Sequence, residues 1–136
     1  PKLLLRVIRR ILKPTGLLVV QSPNIASLMA RWTKTEWQWL CLPDHLWHFT
    51  PKTLAAFIET AGFEVHRLRT WEPADVFWDN LVQLDLRQRQ IPRIARKMAQ
   101  TTGLGFPLIA LTQKIWWRVQ LGAAIEVFAT KAQHVE

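Results

Sequence analysis

The chain is poor in cysteine, in acidic residues and in long apolar runs, and each shortage excludes a class of protein. Cys41 is the only cysteine among the 136 residues, so neither an internal disulfide nor a cysteine-rich zinc site can form. The longest fully apolar stretch, residues 104–111, contains Gly105 and Pro107 and falls far short of the roughly 20 residues that cross a bilayer. We therefore expect a protein of the reducing cytoplasm, without a membrane span.

The chain has ten acidic residues and 18 lysines and arginines, which gives a formal net charge of +8. Because hydrophobic residues make up 49% of the chain, a disordered basic tail is excluded. The length is that of one domain. The chain has no initiating methionine and begins inside a predicted helix, so we expect it to be a piece of a longer protein.

The apolar patterns predict helices alternating with strands. The stretch "LLLRVIRRILKPTG" predicts an amphipathic helix that Pro14 and Gly16 end. Its predicted inner face consists of Leu4, Val7, Ile8, Ile11 and Leu12. Strands are predicted at Leu17–Gln21, which is apolar enough to be covered on both faces, at Glu64–Arg69 and at Ala124–Lys131.

A second helix has a complete set of start and stop signals. Thr50 is the predicted N-cap and Pro51 the first helical residue, and Phe49 and Leu54 are spaced as a hydrophobic staple. Gly62 supplies the left-handed position after the last turn. The order of elements predicts an α/β fold with crossover connections.

Residues 71–122 form a predicted helical insert that is strongly basic. Between Arg87 and Arg118 there are seven basic residues and no acidic one, and Trp116 and Trp117 lie beside them. A solvated helix face explains this pattern, and binding to an anionic membrane surface is the alternative. Nucleic acid is an unlikely partner because no recognised reading motif accompanies the charge.

Three stretches together, "LLRVIRRILKPTGLLVVQSPN", "PDHLWHFTPKTLAAFIETAGFEV" and "AIEVFATK", resemble the C-terminal half of class I S-adenosylmethionine-dependent methyltransferases of the small-molecule type. The resemblance implies a partial Rossmann-like sheet in which strands five, seven and six are neighbours and the last is antiparallel, with flanking helices and the insert. One departure is Thr15, where the family usually has glycine; threonine fits only with a negative φ.

The resemblance places the loop before the second helix beside the methyl-transfer site, and the family's acidic residue and histidine match Asp44 and His45. A neutral imidazole can take the proton of an oxygen or nitrogen acceptor near neutral pH, so His45 is the candidate base and Asp44 its candidate partner. Asn24, at the carboxyl end of a buried strand, and Trp47 and His48 are candidate substrate-binding residues. The alternative is that Asp44 and His45 only order the loop, that His48 is structural and Trp47 packs, and that Asn24 forms a turn.

The cofactor that the resemblance implies is S-adenosylmethionine in the intact protein. The glycine-rich turn that the family uses to bind this cofactor would precede Pro1. The "GLG" at Gly103–Gly105 follows no predicted strand and does not replace that turn. The cofactor-binding residues are therefore unknown, and this chain alone is not expected to bind S-adenosylmethionine. No metal site is predicted, since His45 and His48 are only two ligands. His66 and His134 are predicted surface residues.

The functional prediction is the C-terminal part of a methyltransferase that contributes groups binding a small-molecule methyl acceptor and is inactive alone. The alternatives are a noncatalytic methyltransferase-like remnant and a module bound peripherally at the membrane. Strand 17–21 lacks charge and would expose one unpaired edge, so self-association through it is also expected.

Overall fold

The structure is a computed structural model, and it describes residues 1–73, 76–77, 80 and 114–133. In chain order its elements are helix α1 (Lys2–Ile11), strand β1 (Leu18–Pro23), helices α2 (Leu28–Thr33) and α3 (Pro51–Thr60), and strands β2 (Phe63–Trp71) and β3 (Ala124–Lys131). Short 3-10 turns lie between α2 and α3, and residues 114–118 are helical. Most of the predicted insert, and His134, lie outside the described residues. No helix of the described part has the length and apolar content needed to cross a membrane.

The three strands form one sheet in the order β1-β3-β2. β3 is antiparallel to both neighbours, so β1 and β2 run parallel to each other, with α3 in the connection between them. The predicted spatial order and the antiparallel closing strand are confirmed. That these strands are numbers five, seven and six of a larger sheet stays a prediction.

The bounds and burial of β1 differ from the prediction. The strand begins one residue later and ends two residues later than Leu17–Gln21. Leu18 is buried and Val20 half-buried, whereas Leu17 and Val19 are 55% and 48% exposed. The alternation shows that one face of β1 is covered by the described residues, because successive side chains point to opposite faces.

The first core cluster lies between one face of the sheet and the helices α1 and α3. Its buried members are Leu5, Leu18, Leu54, Ile58, Ala61, Phe63, Ile125, Val127 and Ala129. The alternating apolar residues of β3 that face this cluster explain why its pattern was recognisable in the sequence. β3 was predicted with the bounds that the structure has.

The inner face of α1 is set by Leu5, which is buried, with Ile8 and Leu12 packed beside it. Of the predicted face, Leu4, Val7 and Ile11 are instead 61%, 44% and 71% exposed. The stripe at i, i+3 and i+7 therefore starts one residue later than predicted. The periodicity could not decide this because leucines occupy consecutive positions in the first turn.

The opposite face of the sheet is held by the carboxylate of Glu126 on β3. Gln21 on β1 donates to Oε1 at 2.7 Å, and Arg69 on β2 forms an ion pair with Oε2. The hydrogen bond from Arg69, followed by that from Gln21, lowers the pKa of Glu126. The guanidinium carbons of Arg69 and Arg67 also lie 5.6 and 6.0 Å from the ring centre of Phe128. One carboxylate thus connects all three strands.

Local signals fix both ends of α3 as predicted. Thr50 Oγ1 accepts from the backbone N–H of Thr53 at 3.1 Å, and Thr53 Oγ1 accepts from the N–H of Thr50 at 2.8 Å. Gly62 has a φ of +87°, and its carbonyl accepts from Arg9 Nε at 2.9 Å. Apart from glycine, the described residues with a φ above +20° are Lys34 and Gln120, so Thr15 avoids the left-handed region that would strain it.

The two outer strands of the sheet differ in how their free edges are protected. β2 carries Glu64, His66 and Arg67 and has a bulge between Val65 and Arg67, both of which discourage pairing with another chain. β1 has no charged residue and, among the described residues, pairs on one side only.

We therefore expect the chain to form dimers or larger species through β1, and Val19→Lys to shift it toward monomer by placing a charge on the edge strand. Sedimentation velocity at matched concentrations measures this. The control, His66→Lys on the edge of β2, should leave self-association unchanged. A parent chain that stays monomeric at high concentration, with the amides of residues 17–20 protected from exchange, would contradict the prediction.

Candidate functional site

The carboxyl ends of the parallel strands β1 and β2 meet at one edge of the sheet. Pro23 and Trp71 both lie opposite Ala124, the first residue of β3. Asn24, Ala123 and Glu72 are therefore the next positions beyond β1, β3 and β2. Open α/β sheets bind their ligands at the carboxyl ends of parallel strands, so this edge is the candidate site.

Asn24 is fully buried and every polar group of its side chain is used within the fold. Its Nδ2 donates to the carbonyls of Gln120 at 3.1 Å and Gly122 at 2.8 Å, and Oδ1 accepts from the N–H of Ala26 at 3.1 Å. Its backbone N–H donates to Ala123 at 2.7 Å. The side chain joins the end of β1 to the segment that enters β3, and its predicted substrate-binding role stays a prediction.

Thr70 holds the same segment from the other side. Its hydroxyl accepts from the N–H of Gly122 at 3.2 Å and donates to the carbonyl of Trp117 at 3.3 Å. Gly122 has no room for a side chain, because a Cβ would lie 2.7 Å from the backbone nitrogen of Trp71. The entry into β3 is thus fixed between β1 and β2 by backbone contacts.

The predicted catalytic loop returns to this edge just before α3. Phe49 forms a parallel bridge with Asn24, and its carbonyl accepts from the N–H of Ile25 at 3.0 Å. This pairing brings His48 to the carboxyl end of β1. The Nε2 atom of His48 is buried and has no hydrogen-bond partner within the described part of the chain.

The half-buried ring of His45 is oriented by the backbone. Its Nδ1 lies 3.1 Å from the carbonyl oxygen of Trp39. The backbone N–H of His45 donates to the carbonyl of Cys41 at 2.8 Å. A carbonyl only accepts, so we assign the proton of the neutral ring to Nδ1. This tautomer leaves the Nε2 lone pair as the proton acceptor.

Asp44 is exposed and contacts Cys41 rather than His45. Its Oδ2 lies 3.6 Å from Cys41 Sγ, and this hydrogen bond is the main cause that raises the pKa of the thiol. The partner predicted for His45 is therefore replaced by the Trp39 carbonyl. A sequence pattern shows adjacent residues but not which way each side chain turns, which explains the difference. The catalytic role of Asp44 stays a prediction.

The tryptophans divide between surface and core. Trp47 is 61% exposed, while Trp37 is 3% exposed. A second core cluster contains Met29, Ala30, Trp37, Phe77 and Ala123, with Trp39, Leu40 and Trp116 packed against it. The cluster adjoins the carboxyl edge through Ala123, and Trp37 is one of its packing residues. Trp47 lies outside the cluster and is accessible to a ligand.

Glu72 is a residue of this edge that the sequence patterns did not identify. It is 3% exposed, and its Oε1 has no hydrogen-bond partner among the described residues. Burial raises the pKa of Glu72 to about 8, and a hydrogen bond from the backbone N–H of Ala123 opposes part of that rise. The only signal in the sequence was an acid placed directly after a strand at its carboxyl end.

The histidines and carboxylates that the structure describes do not assemble into a metal centre. Among the described residues there is no group of three or more histidine, cysteine, aspartate or glutamate side chains that could hold a metal ion. His66 is exposed, as predicted, and its Nε2 lies 2.7 Å from Thr130 Oγ1.

Comparison with protein families identifies the fold. A model described as a methyltransferase domain matches residues 1–68, half of the chain, so the chain belongs to the methyltransferase domain family. The match covers α1 to the middle of β2 and includes the loop with His45 and His48. A search of curated proteins finds no match.

Members of this family generally use S-adenosylmethionine, and the described residues do not supply its usual cradle. Gly16 precedes β1, Gly62 precedes β2 and Gly122 precedes β3, so none of them follows the carboxyl end of a strand. The turn that does follow β1 contains Pro23 and the buried Asn24. We derive no cofactor contact from these residues.

Asn24→Ala should lower the free energy of unfolding by about 2–3 kcal/mol, because it leaves the buried carbonyl of Gly122 and the partly buried carbonyl of Gln120 without their donor. Urea denaturation measures the loss. Ser22→Ala is the control on the same strand, since Ser22 Oγ makes only a 3.4 Å contact with the carbonyl of Pro23. An Asn24→Ala variant as stable as the Ser22 control would contradict the structural role of Asn24.

Glu72→Gln should stabilise the fold, and increasingly so as the pH rises. Between the unfolded pKa and about 8, the folded protein keeps a proton that the unfolded chain releases, so the parent loses stability across that window. The advantage of the glutamine variant should be on the order of 3 kcal/mol near pH 7, from about 1.4 kcal/mol per pKa unit.

Glu126→Gln provides the opposite case for the same urea titrations. The pKa of Glu126 is lowered in the folded state, so the carboxylate should stabilise the fold at neutral pH. This stabilisation should disappear as the pH falls through the pKa that Glu126 has in the folded protein. Two variants with the same pH dependence would show that the environments of these carboxyls are not as described.

Proposed function

We propose that the chain forms the acceptor-binding side of an S-adenosylmethionine-dependent methyltransferase, with His45 as the group that orients or deprotonates the acceptor. Membership of the methyltransferase domain family supports the reaction class. The single observation that carries the role of His45 is the 3.1 Å contact of its Nδ1 with the Trp39 carbonyl, because a proton assigned to Nδ1 leaves Nε2 to accept another.

The chemistry assigned to His45 is general base catalysis. An oxygen or nitrogen acceptor loses a proton when it gains a methyl group, and Nε2 of a neutral imidazole can take that proton near neutral pH. The Trp39 carbonyl, which accepts from Nδ1–H, stabilises the imidazolium that results. The backbone thus takes the orienting role that a carboxylate has in many other sites.

The other predicted site residues have secondary roles in this proposal. The Nε2 of His48, which has no partner among the described residues, supports its assignment to acceptor binding, and the exposed indole of Trp47 supports its assignment as an apolar cover. Asp44 keeps its proposed role as a residue of the catalytic loop, although its own contact is with Cys41. Asn24 supports the site by holding the edge of the sheet together.

Two alternatives are a noncatalytic remnant and a peripheral membrane module. Residues 114–118, the described end of the basic insert, are relevant to the membrane alternative. The ring centre of Trp116 lies 5.0 Å from that of Phe77, and the carbonyl of Trp117 accepts from Thr70. These tryptophans are half-buried, which favours packing over insertion into lipid, while Lys114 and Arg118 are exposed.

The proposal predicts that His45→Gln lowers kcat by roughly a factor of 10² or more, because glutamine can donate to Trp39 but cannot act as a base. The assay uses the chain joined to its cofactor-binding half, with acceptors that react through oxygen or nitrogen. Cofactor affinity, measured by calorimetry, should not change, and the acid limb of the pH–rate profile should disappear.

His66→Gln is the matched control, since His66 is exposed on β2 away from the loop, and its rate should equal that of the parent. A His45→Gln enzyme with the parent rate would return His45 to a loop-ordering role. Absence of turnover in the parent with every acceptor would favour the noncatalytic remnant.

A further inference from the structure

A cavity lies at the edge of the sheet opposite the candidate site. Its volume is about 360 Å³, and it is lined by Arg6, Arg9, Arg10, Thr60, Ala61 and Gly62. Gly62 comes just before β2 and Trp71 ends this strand, so the length of β2, roughly 25 Å, separates the cavity from the carboxyl edge. The cavity is therefore not part of the proposed acceptor site.

Three of the lining residues are arginines on one side of α1. Arg6, Arg9 and Arg10 occupy positions i, i+3 and i+4, the spacing at which side chains are neighbours on a helix surface. Guanidinium groups keep their charge at physiological pH, so three positive charges meet at the cavity. Like charges at this spacing destabilise a helix. No acidic residue precedes Glu36 in the sequence, so α1 has no carboxylate of its own to offset them.

No carboxylate in the rest of the described chain compensates these charges either. The ion pairs formed between described residues join Arg69 to Glu126 and His66 to Glu64. Arg6 and Arg10 are exposed, and their side chains make no hydrogen bond or ion pair among the described residues. The positive charge at the cavity is therefore left for something outside the described chain.

Arg9 is half-buried, and its guanidinium is held in a fixed orientation. Its Nε donates to the carbonyl of Gly62 at 2.9 Å, and the same carbonyl accepts from the N–H of Ala132 at 3.1 Å. A Cβ at position 62 would lie 2.5 Å from Nε of Arg9, so glycine is required for this approach. The bond uses Nε and leaves the N–H groups of both Nη atoms for another acceptor.

The carbonyl end of α3, which forms the other wall of the cavity, does not need the remaining two arginines. The carbonyls of residues 57, 58 and 59 each accept a hydrogen bond from the last turn of α3 or its cap. Basic side chains often satisfy such carbonyls, but here Arg6 and Arg10 are not required for that purpose. A bound anion would account for their convergence on the cavity.

We propose that this cavity binds the phosphate group of a phosphate monoester. Guanidinium groups form paired N–H···O hydrogen bonds with phosphate oxygens, which an ammonium group cannot do. A monoester carries a charge of about −1.5 to −2 near pH 7 on three oxygens, whereas a carboxylate or a phosphodiester carries a single charge. Three guanidinium groups therefore match the monoester best.

The size of the cavity indicates that the phosphate is attached to a larger group. Small-molecule sites have volumes of roughly 300–1,000 Å³, and this cavity lies at the lower end of that range. A soluble metabolite and the headgroup of phosphatidate present the same phosphate monoester, so the experiment includes both sources. The inference does not depend on the methyltransferase function.

The experiment titrates the 136-residue chain with glycerol 3-phosphate in a calorimeter. Salt at about 0.15 M reduces the Debye length to roughly 8 Å, so that charges far from the cavity are screened. We expect a Kd of about 1 mM or tighter and a higher melting temperature with the ligand. Dimethyl phosphate, a singly charged diester, should bind at least roughly tenfold more weakly.

Sedimentation with vesicles tests the lipid source. The chain should sediment with phosphatidylcholine vesicles that contain phosphatidate if the natural ligand is a lipid. Vesicles that contain phosphatidylglycerol, a phosphodiester, control for the general attraction of a chain with a net charge of +8 to an anionic surface. Binding of glycerol 3-phosphate or selective binding of phosphatidate would support the site, and each result would identify its source.

Arg6→Gln and Arg10→Gln should each weaken monoester binding roughly tenfold. Both residues are exposed, so the melting temperature without ligand should stay the same. Arg9→Lys keeps the charge but loses the paired donors, and it should also weaken binding. Lys13→Gln is the matched control, because it removes the same charge from a residue that does not line the cavity. Its Kd should stay within about twofold of the parent value.

Three results would overturn the inference. The first is an absence of binding to both glycerol 3-phosphate and phosphatidate vesicles. The second is equal affinity for the monoester and the diester, in solution or on vesicles. The third is a loss of affinity in Lys13→Gln as large as that in Arg10→Gln, because this would show attraction to the net charge of the chain rather than a site.

Discussion

The arrangement of this chain depends on the double pairing of β3. Among the described residues β1 and β2 do not pair with each other, and each pairs in the sheet with β3. Because both ladders end at Ala124, the residues that follow β1 and β2 are brought to the same edge. The candidate site is therefore a property of one strand from the far end of the chain, and not of the loop sequence alone.

Several elements could be predicted because their causes are local. The cap of α3 at Thr50, the left-handed Gly62 and the bounds of β3 follow from hydrogen bonds and alternation over a few residues, and all are confirmed. The spatial order of the strands came from the family resemblance. The inner face of α1 was misjudged by one residue, because consecutive leucines satisfy two helical stripes and only the sheet decides between them.

The details of the site could not be predicted because they depend on contacts between distant segments. Asp44 turns toward Cys41, and the carbonyl of Trp39 takes its expected place at His45. Glu72 is buried although it follows a strand, and the hydrogen bond to its carboxyl comes from Ala123, about fifty residues away in sequence. A single sequence names these residues but does not show which of them lose their access to water.

The segment that leads into β3 is held through its main-chain atoms. Asn24 and Thr70 bind the carbonyls of Trp117, Gln120 and Gly122 and the N–H of Gly122, groups that nearly every amino acid provides. These hydrogen bonds therefore place no demand on the side chains from 117 to 121, although the φ of +61° at Gln120 does, and Gly122 is constrained by the main chain at Trp71. Related proteins could exchange the whole connection before residue 117 for one of another length and still close the same sheet.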